Sequence, residues 1–207
     1  MTRIGIISDV HGDVHALRDA LAQIDKIGVD RIVCCGDIVD YGLFPDETIA
    51  LLRARDVIAI RGNHDRWAIK GDALASSDGL LTEPSLAWLA SLPPNWRTVV
   101  DGVRIVVWHA RPRSDMNGVA HDAPYHELRA LLDNEDADVL LVGHTHVPSA
   151  RRLGIDAMVA NLGVLLRDAG PGCDVATPGL FGILEIGRGG AVEFEVRRAI
   201  DGVLVEP

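Results

Sequence analysis

Basic residues are scarce in this chain: 20 Lys and Arg face 30 Asp and Glu, for a formal net charge of −10. A protein that grips a nucleic-acid backbone presents a basic stripe, so a nucleic-acid polymer is not the expected partner. No apolar run approaches the roughly 18 residues that span a bilayer, which argues against a membrane protein. The start, Met1-Thr2-Arg3 followed by Ile4-Gly5-Ile6-Ile7, is interrupted at once by Ser8, Asp9 and His11. It therefore reads as a buried first strand and not as a signal core. The three cysteines, with Cys34 and Cys35 adjacent, make neither a disulfide framework nor a zinc spacing. They are expected to be small apolar strand residues of a reduced, cytoplasmic protein. Aromatics make up only 4% of the chain, whereas apolar residues reach 48%. The 207 residues are enough for one domain with a sizeable core.

What is present is ordered by period. Residues 3–8 are β-branched and suit a buried strand, after which Val14, Leu17, Leu21 and Ile24 recur at helical steps and stop near Gly28. A strand over Arg31–Cys35, a helix around Asp46–Ala54 and a strand over Val57–Ile60 continue the alternation, the rhythm of parallel pairing with crossovers. The stretch 66–94 breaks it with the polar run Ser76-Ser77-Asp78-Gly79. One helix follows, capped by Thr82 and ended by Pro93-Pro94, so the stretch reads as a small helical insertion beside the site. Strands then dominate. Thr98–Val100 and Val103–Trp108 flank the hairpin dipeptide Asp101-Gly102, Leu128–Leu132 is helical, and Val139–Val142 is a short buried strand. Two strand pairs near 149–160 and 180–197 close the chain. With no repeat or linker, residues 1–207 are expected to form one α/β domain with two facing sheets.

The polar residues that carry chemistry sit at the carboxyl ends of these strands, where open α/β sheets place their ligands. Asp9-Val10-His11, Gly36-Asp37, Gly62-Asn63-His64-Asp65, His109 and Gly143-His144-Thr145-His146 each follow a strand. In extended chain, residues i and i+2 point the same way, so Asp9 with His11 and His144 with His146 are expected to converge as pairs. A lone histidine or Gly-Asp is usually structural, but five successive coincidences at strand ends are not expected. Imidazole, carboxylate and an amide oxygen suit a mid-series divalent ion better than calcium. Seven candidate ligands (Asp9, His11, Asp37, Asn63, His109, His144 and His146) exceed what one ion takes, so two ions are expected.

The ordered set Asp-x-His, Gly-Asp-x-x-Asp, Gly-Asn-His-Asp, His and Gly-His-x-His resembles that of the calcineurin-like metallophosphoesterases, in their compact bacterial phosphodiesterase branch. It stands here as Asp9–His11, Gly36–Asp40, Gly62–Asp65, His109 and Gly143–His146. The resemblance implies a four-layer α/β/β/α sandwich of two mixed β-sheets, the metallophosphoesterase fold. It implies that Asp9, His11 and His146 hold one ion, that Asn63, His109 and His144 hold the other, and that Asp37 bridges them. Manganese is the first choice for the two divalent ions, with Fe, Ni, Co, Zn or Mg as alternatives. The implied activity is hydrolysis of a phosphodiester or phosphomonoester in a small substrate by a dinuclear-metal-activated hydroxide. Asn63 would also contact the phosphate, and His64 would stabilise the transition state or protonate the leaving group. Asp65 would orient His64.

Arg111 and Arg113, just past His109, are candidate phosphate contacts, while His121 and His126 read as surface residues. Two runs depart from the family pattern. His109-Ala110-Arg111-Pro112 stands where the family often has the histidine followed by Gly and a small residue before Pro, and Asn161-Leu162-Gly163-Val164 stands where compact members commonly carry Asn-Pro-Gly-Ser. Tyr41 stands where the phosphoprotein-phosphatase branch has Arg. The alternatives are a non-catalytic scaffold of the same fold, like the retromer subunit, or a nuclease, which the length and charge disfavour. Oligomeric state is not expressed in the sequence.

Overall fold

Residues 4–7 alternate between two environments, and that alternation sets the layers. In the computed structural model, which describes residues 1–72, 79–154, 157–167 and 178–207, the chain begins with β1 (Thr2–Ile7). Ile4 and Ile6 face a second sheet, whereas Ile7 faces the helices. Gly5 lies on the helical face too, and a β-carbon there would come within 3.2 Å of Ile24, so the glycine lets the first helix approach closely.

The order continues α1 (Val14–Ile27), β2 (Arg31–Cys34), α2 (Pro45–Ala54), β3 (Ile58–Ala59), α3 (Asn63–Lys70), α4 (Glu83–Ser91), β4 (Asn95–Val100) and β5 (Val103–Trp108). It ends α5 (Tyr125–Glu135), β6 (Val139–Val142), β7 (Ser149–Arg152), β8 (Met158–Asn161), β9 (Leu180–Ile186), β10 (Val192–Arg198) and β11 (Leu204–Val205). The six-stranded sheet runs β11-β10-β9-β1-β2-β3 and the five-stranded sheet β4-β5-β6-β8-β7. β1, β2 and β3 pair in parallel, as do β5, β6 and β8. β9, β10 and β11 extend the first sheet antiparallel, and β4 and β7 are antiparallel edges of the second.

Both sheets are therefore mixed, and three apolar clusters separate four layers. Leu17, Leu21 and Ile24 of α1, with Leu52 of α2 and Leu89 of α4, pack on one face of the first sheet. Val33, Ile105, Leu141 and Leu184 fill the space between the sheets. Leu128 and Leu132 of α5 cover Val106, Leu140 and Val142 on the far side. The α/β/β/α sandwich expected of the sequence is the observed fold. Val100 and Val103 pair across Asp101-Gly102, both with positive φ, as a two-residue hairpin requires.

The segment from 66 to 94 differs from expectation. α3 starts at Asn63 itself and carries the Gly-Asn-His-Asp run into its first turn. α4 is docked, with Leu89 and Leu92 buried in the helical-face core, so it is part of the first outer layer. Thr82 makes no side-chain cap; its N–H and hydroxyl both donate to Asp46 Oδ1. Ser76, Ser77 and Asp78 lie outside the described residues. The parallel strands β1, β2, β3, β5 and β6 all deliver their carboxyl ends to one edge of the sandwich, where the site is built.

Candidate metal centre

Tight backbone pairing brings the strand ends together. The N–H groups of Asp9, His11 and Gly12 donate to the carbonyls of Gly36, Asp37 and Ile38, which zips the first loop to the second. Two glycines permit the closest approaches. A β-carbon at Gly62 would stand 2.1 Å from Asp37 Oδ1, and one at Gly143 would stand 2.4 Å from Asp9 Oδ2. The ligand loops are not extended. Asp9, His11, Asp37, Asp40, Tyr41, His144 and His146 all have positive φ, seven of the eleven such non-glycine residues among those described. Convergence thus comes from left-handed turns, not from the i, i+2 alternation expected above. Backbone strain of this kind gathers at functional sites.

Two groups of ligand atoms result. In the first, His11 Nε2 lies 3.2 Å from His146 Nε2, and His146 Nε2 lies 3.3 Å from Asp9 Oδ1. In the second, Asn63 Oδ1 lies 3.0 Å from His109 Nε2 and 2.9 Å from His144 Nδ1. Asp37 stands between the groups, with Oδ2 3.1 Å from His109 Nε2 and 4.0 Å from His11 Nε2. His144 and His146, expected to pair, serve different groups. Asp9, His11, Asp37, Asn63 and His109 are all buried.

The donor chemistry asks for cations. His109 donates its Nδ1–H to the Cys35 carbonyl and His11 donates its own to Val39, so both present the Nε2 lone pair inward. Those lone pairs face an amide oxygen, carboxylates and another imidazole: acceptors meeting acceptors. Ligands about 2.0–2.2 Å from one ion lie about 3.0–3.5 Å from each other, which is the spacing found here. The residues present therefore fit divalent metal.

Without metal, protons do part of that work. Burial drives the His109 imidazole down, but the Asp37 carboxylate overrides it and holds the group up at about 10. His146 is likewise raised against the effect of burial by its bond to Asp9. Asp9 and Asp37 are held low despite burial, Asp9 by His146 and His109, and Asp37 by His109. His11, with burial dominant, falls to about 4.

His64 stands beside both groups. Its backbone N–H donates to Asp37 Oδ1 at 2.9 Å, so helix α3 begins on the central carboxylate. Its ring Nδ1 lies 2.9 Å from Asp40 Oδ2, and its Nε2 lies 3.4 Å from the Tyr41 hydroxyl.

A family model described as the calcineurin-like phosphoesterase superfamily domain matches residues 2–181. The chain belongs to that superfamily. It is 29% identical over 161 residues to an uncharacterized protein of Methanocaldococcus jannaschii, a match covering 70% of this chain and 63% of that protein. The chain thus spans less than two thirds of this relative's length. It is similar to the crystal structure of a metallophosphoesterase from Sphaerobacter thermophilus, with a TM-score of 0.68, 28% identity, and 93% and 86% of the two chains covered. The structure of Vps29 complexed with zinc, from Entamoeba histolytica, shares the fold: its TM-score is 0.61 at 17% identity, over 99% of this chain and 96% of that one.

Two sequence expectations for this phosphoesterase-family site change with the structure. Asp65 does not hold the His64 ring. Its carboxylate accepts the backbone N–H groups of Gly62, Ile38 and Val39, because α3 starts at Asn63 and makes Asp65 its capping residue. Asp40, quoted in the motif but given no role, is the residue at His64 Nδ1. Arg111 does not reach the site. It is paired with Glu127 on α5, while Arg113 lines the adjoining cavity. His121 and His126 are exposed, as expected.

One positioning residue was missed. Asn161 donates from Nδ2 to the Gly143 carbonyl at 2.7 Å and to Thr145 Oγ1 at 3.0 Å, while its Oδ1 accepts Gly163 N–H. It braces the turn that carries His144 and His146. The Asn-x-Gly run was the available signal. The departures at 162 and 164 leave this brace intact, and Leu165 and Leu166 bond onward to the Ser8 and Asp9 carbonyls.

Proposed function

We propose that the protein is a metal-dependent phosphoesterase that hydrolyses a phosphodiester or phosphomonoester of a small substrate. Asp9, His11 and His146 would hold one divalent ion and Asn63, His109 and His144 a second, with Asp37 shared between them. Manganese is the first candidate, since the site mixes imidazole, carboxylate and amide oxygen. Two ions bound there would supply the Lewis acidity that polarises phosphate oxygens and brings the pKa of water toward neutrality.

The observation that carries this reading is His64, an eighth polar side chain whose ring stands within 4.8 Å of ligand atoms of His11 and Asp37 and whose backbone is anchored to the carboxylate between the two groups. A purely structural metal site has no use for such a group. With Nδ1–H donated to Asp40, Nε2 is the ring nitrogen left to meet substrate, beside the Tyr41 hydroxyl at 3.4 Å. Protonated there, it gives that proton to the leaving oxygen as the bond from phosphorus to that oxygen breaks and water adds in line, the attacking water losing a proton to solvent, from which the ring is reprotonated. Asn63, whose Oδ1 faces His109 and His144, keeps its amide N–H groups to donate to a phosphate oxygen. Tyr41, its ring 4.8 Å from that of His64 and 4.6 Å from that of His11, shields the two imidazoles from solvent.

Hydrolysis of bis-p-nitrophenyl phosphate and p-nitrophenyl phosphate, with added Mn²⁺ and with chelator, tests the reading. Metal-dependent release of p-nitrophenol is expected. Inactivity toward phosphoesters in protein carrying both ions would instead favour the non-catalytic scaffold.

A further inference from the structure

A cavity of about 520 Å³ adjoins the site, lined in part by Arg61, Arg66, Trp108, His109, Arg113 and Asp115. His109 belongs both to this wall and to the second ligand group, so the cavity continues from the place where a phosphate would be held. Its charge reverses that of the chain. In a protein of net charge −10, three arginines meet here against one carboxylate.

The arginines are not equivalent. Arg66 is held by Asp115 through two bonds, at 2.6 and 3.1 Å, so its charge is compensated. Arg61 reaches only the Ala90 carbonyl, at 3.5 Å. Among the described residues no carboxylate pairs with Arg61 or Arg113. Among the described residues, Arg61 and Arg113 thus line the wall without an ion-pair partner.

Arg113 is also placed at a cost to the backbone. Arg111 and Ser114 close a turn with two mutual backbone hydrogen bonds, Pro112 takes its second position, and Arg113 takes the third with φ +67°. That position favours glycine or asparagine. A long side chain kept in the left-handed region, and lining the cavity, points to use of the guanidinium.

Resting on the phosphoesterase reading above, we propose that the substrate is a nucleotide bearing a second phosphate, which Arg61 and Arg113 receive while its base lies against Trp108. Guanidinium groups pair with phosphate through parallel N–H bonds. Two guanidinium charges match a phosphate, which carries about −1.5 to −2 at neutral pH, better than they match a carboxylate. Trp108, half-buried and with its indole N–H already donated to Glu135, lines the same cavity as an aromatic surface suited to a planar base. The acidic remainder of the surface repels a long polyanion, which favours a small nucleotide over a nucleic-acid strand.

Calorimetric titration of the manganese-loaded full chain with ADP, AMP and a twelve-residue oligothymidylate tests this. The native protein should bind ADP at least about tenfold more tightly than AMP, the difference of one charged hydrogen-bonded group. In the double variant Arg61→Gln/Arg113→Gly that ratio should fall to about one, with manganese content unchanged. Glycine also relieves the turn, so an unaltered or higher melting temperature separates a lost contact from a damaged fold. Equal binding of ADP and AMP by the native protein overturns the proposal, as does parallel loss of both in the variant. Oligothymidylate binding tighter than ADP, lost in the same variant, overturns the small-nucleotide assignment. If the ADP preference holds but no phosphoester is hydrolysed, the activity reading fails and the binding site stands.

Discussion

Asp40 Oδ2 lies 2.9 Å from Nδ1 of His64, and both side chains are buried at the rim of the ligand cluster. The carboxylate fixes the ring's tautomer and orientation, so the two residues act as a unit. Replacing His64 with Ala is expected to lower turnover by about 10²–10⁴-fold. Asp40→Asn should cost about 10–100-fold, the usual effect of losing an orienting partner. Both variants should retain full metal content by elemental analysis. Loss of metal in either would remove the role assigned to this pair.

Asp65 predicts a different phenotype. Its carboxylate takes three backbone N–H groups, so Asp65→Ala leaves buried donors unpaired and should destabilise the fold by about 1–3 kcal/mol. Chemical denaturation measures this. An unchanged unfolding midpoint with lost turnover would restore the orienting role expected from sequence.

Gly62→Ala tests the close approach at the centre. The added methyl would overlap Asp37 Oδ1 and crowd the Asp37 backbone nitrogen at 2.5 Å, and neither can retreat without moving the shared ligand. Overpacking of this kind costs about 1–3 kcal/mol, and metal occupancy should fall with it. A variant with native melting temperature and metal content would show that the loop has slack.

Metal uptake should release protons. The metal-free fold holds His109 at about 10, above the ordinary 6.5, because Asp37 overcomes the opposing effect of burial. Its charged form therefore stabilises the metal-free protein fully below pH 6.5, and that stability is lost as pH rises through 10. Asp65, lifted to about 7 by burial and by Asp37, has the same sign: its contribution is present below pH 3.8 and lost as pH rises through 7. Metal binding at pH 7 must expel the His109 proton, so affinity should increase with pH. Titrations in buffers of different ionisation enthalpy report the release, and metal binding without proton release would contradict this protonation state.

The layers were legible because β1, β2, β5 and β6 are near-continuous apolar runs, the pattern of strands buried on both faces, and successive side chains join different clusters. The convergence of the seven candidate ligands was legible because each follows a strand that the sequence marks clearly. What could not be read was backbone conformation at the ligands themselves. Asp9, His11, His144 and His146 take left-handed turns, which Asp and His adopt more readily than most side chains but which nothing in the local sequence requires; pairing between the loops holds the first two there. The start of α3 at Asn63 was hidden for a similar reason. Its N-terminus is fixed by Asp37 from another loop, and Gly62-Asn63-His64-Asp65 reads locally as a turn. With no helix read over 63–70, Asp65 was expected at the His64 ring, where Asp40 stands. Arg111 and Arg113 sit two residues apart in one short turn, so only the fold shows which faces α5 and which faces the cavity.

The central claim is a pair of ions sharing Asp37. Anomalous diffraction from crystals grown with Mn²⁺ measures it directly. Two peaks about 3.5–4 Å apart are expected on either side of the Asp37 carboxylate, one beside His11 and His146 and the other beside His109 and His144. A single peak, or a pair that does not flank Asp37, would contradict it.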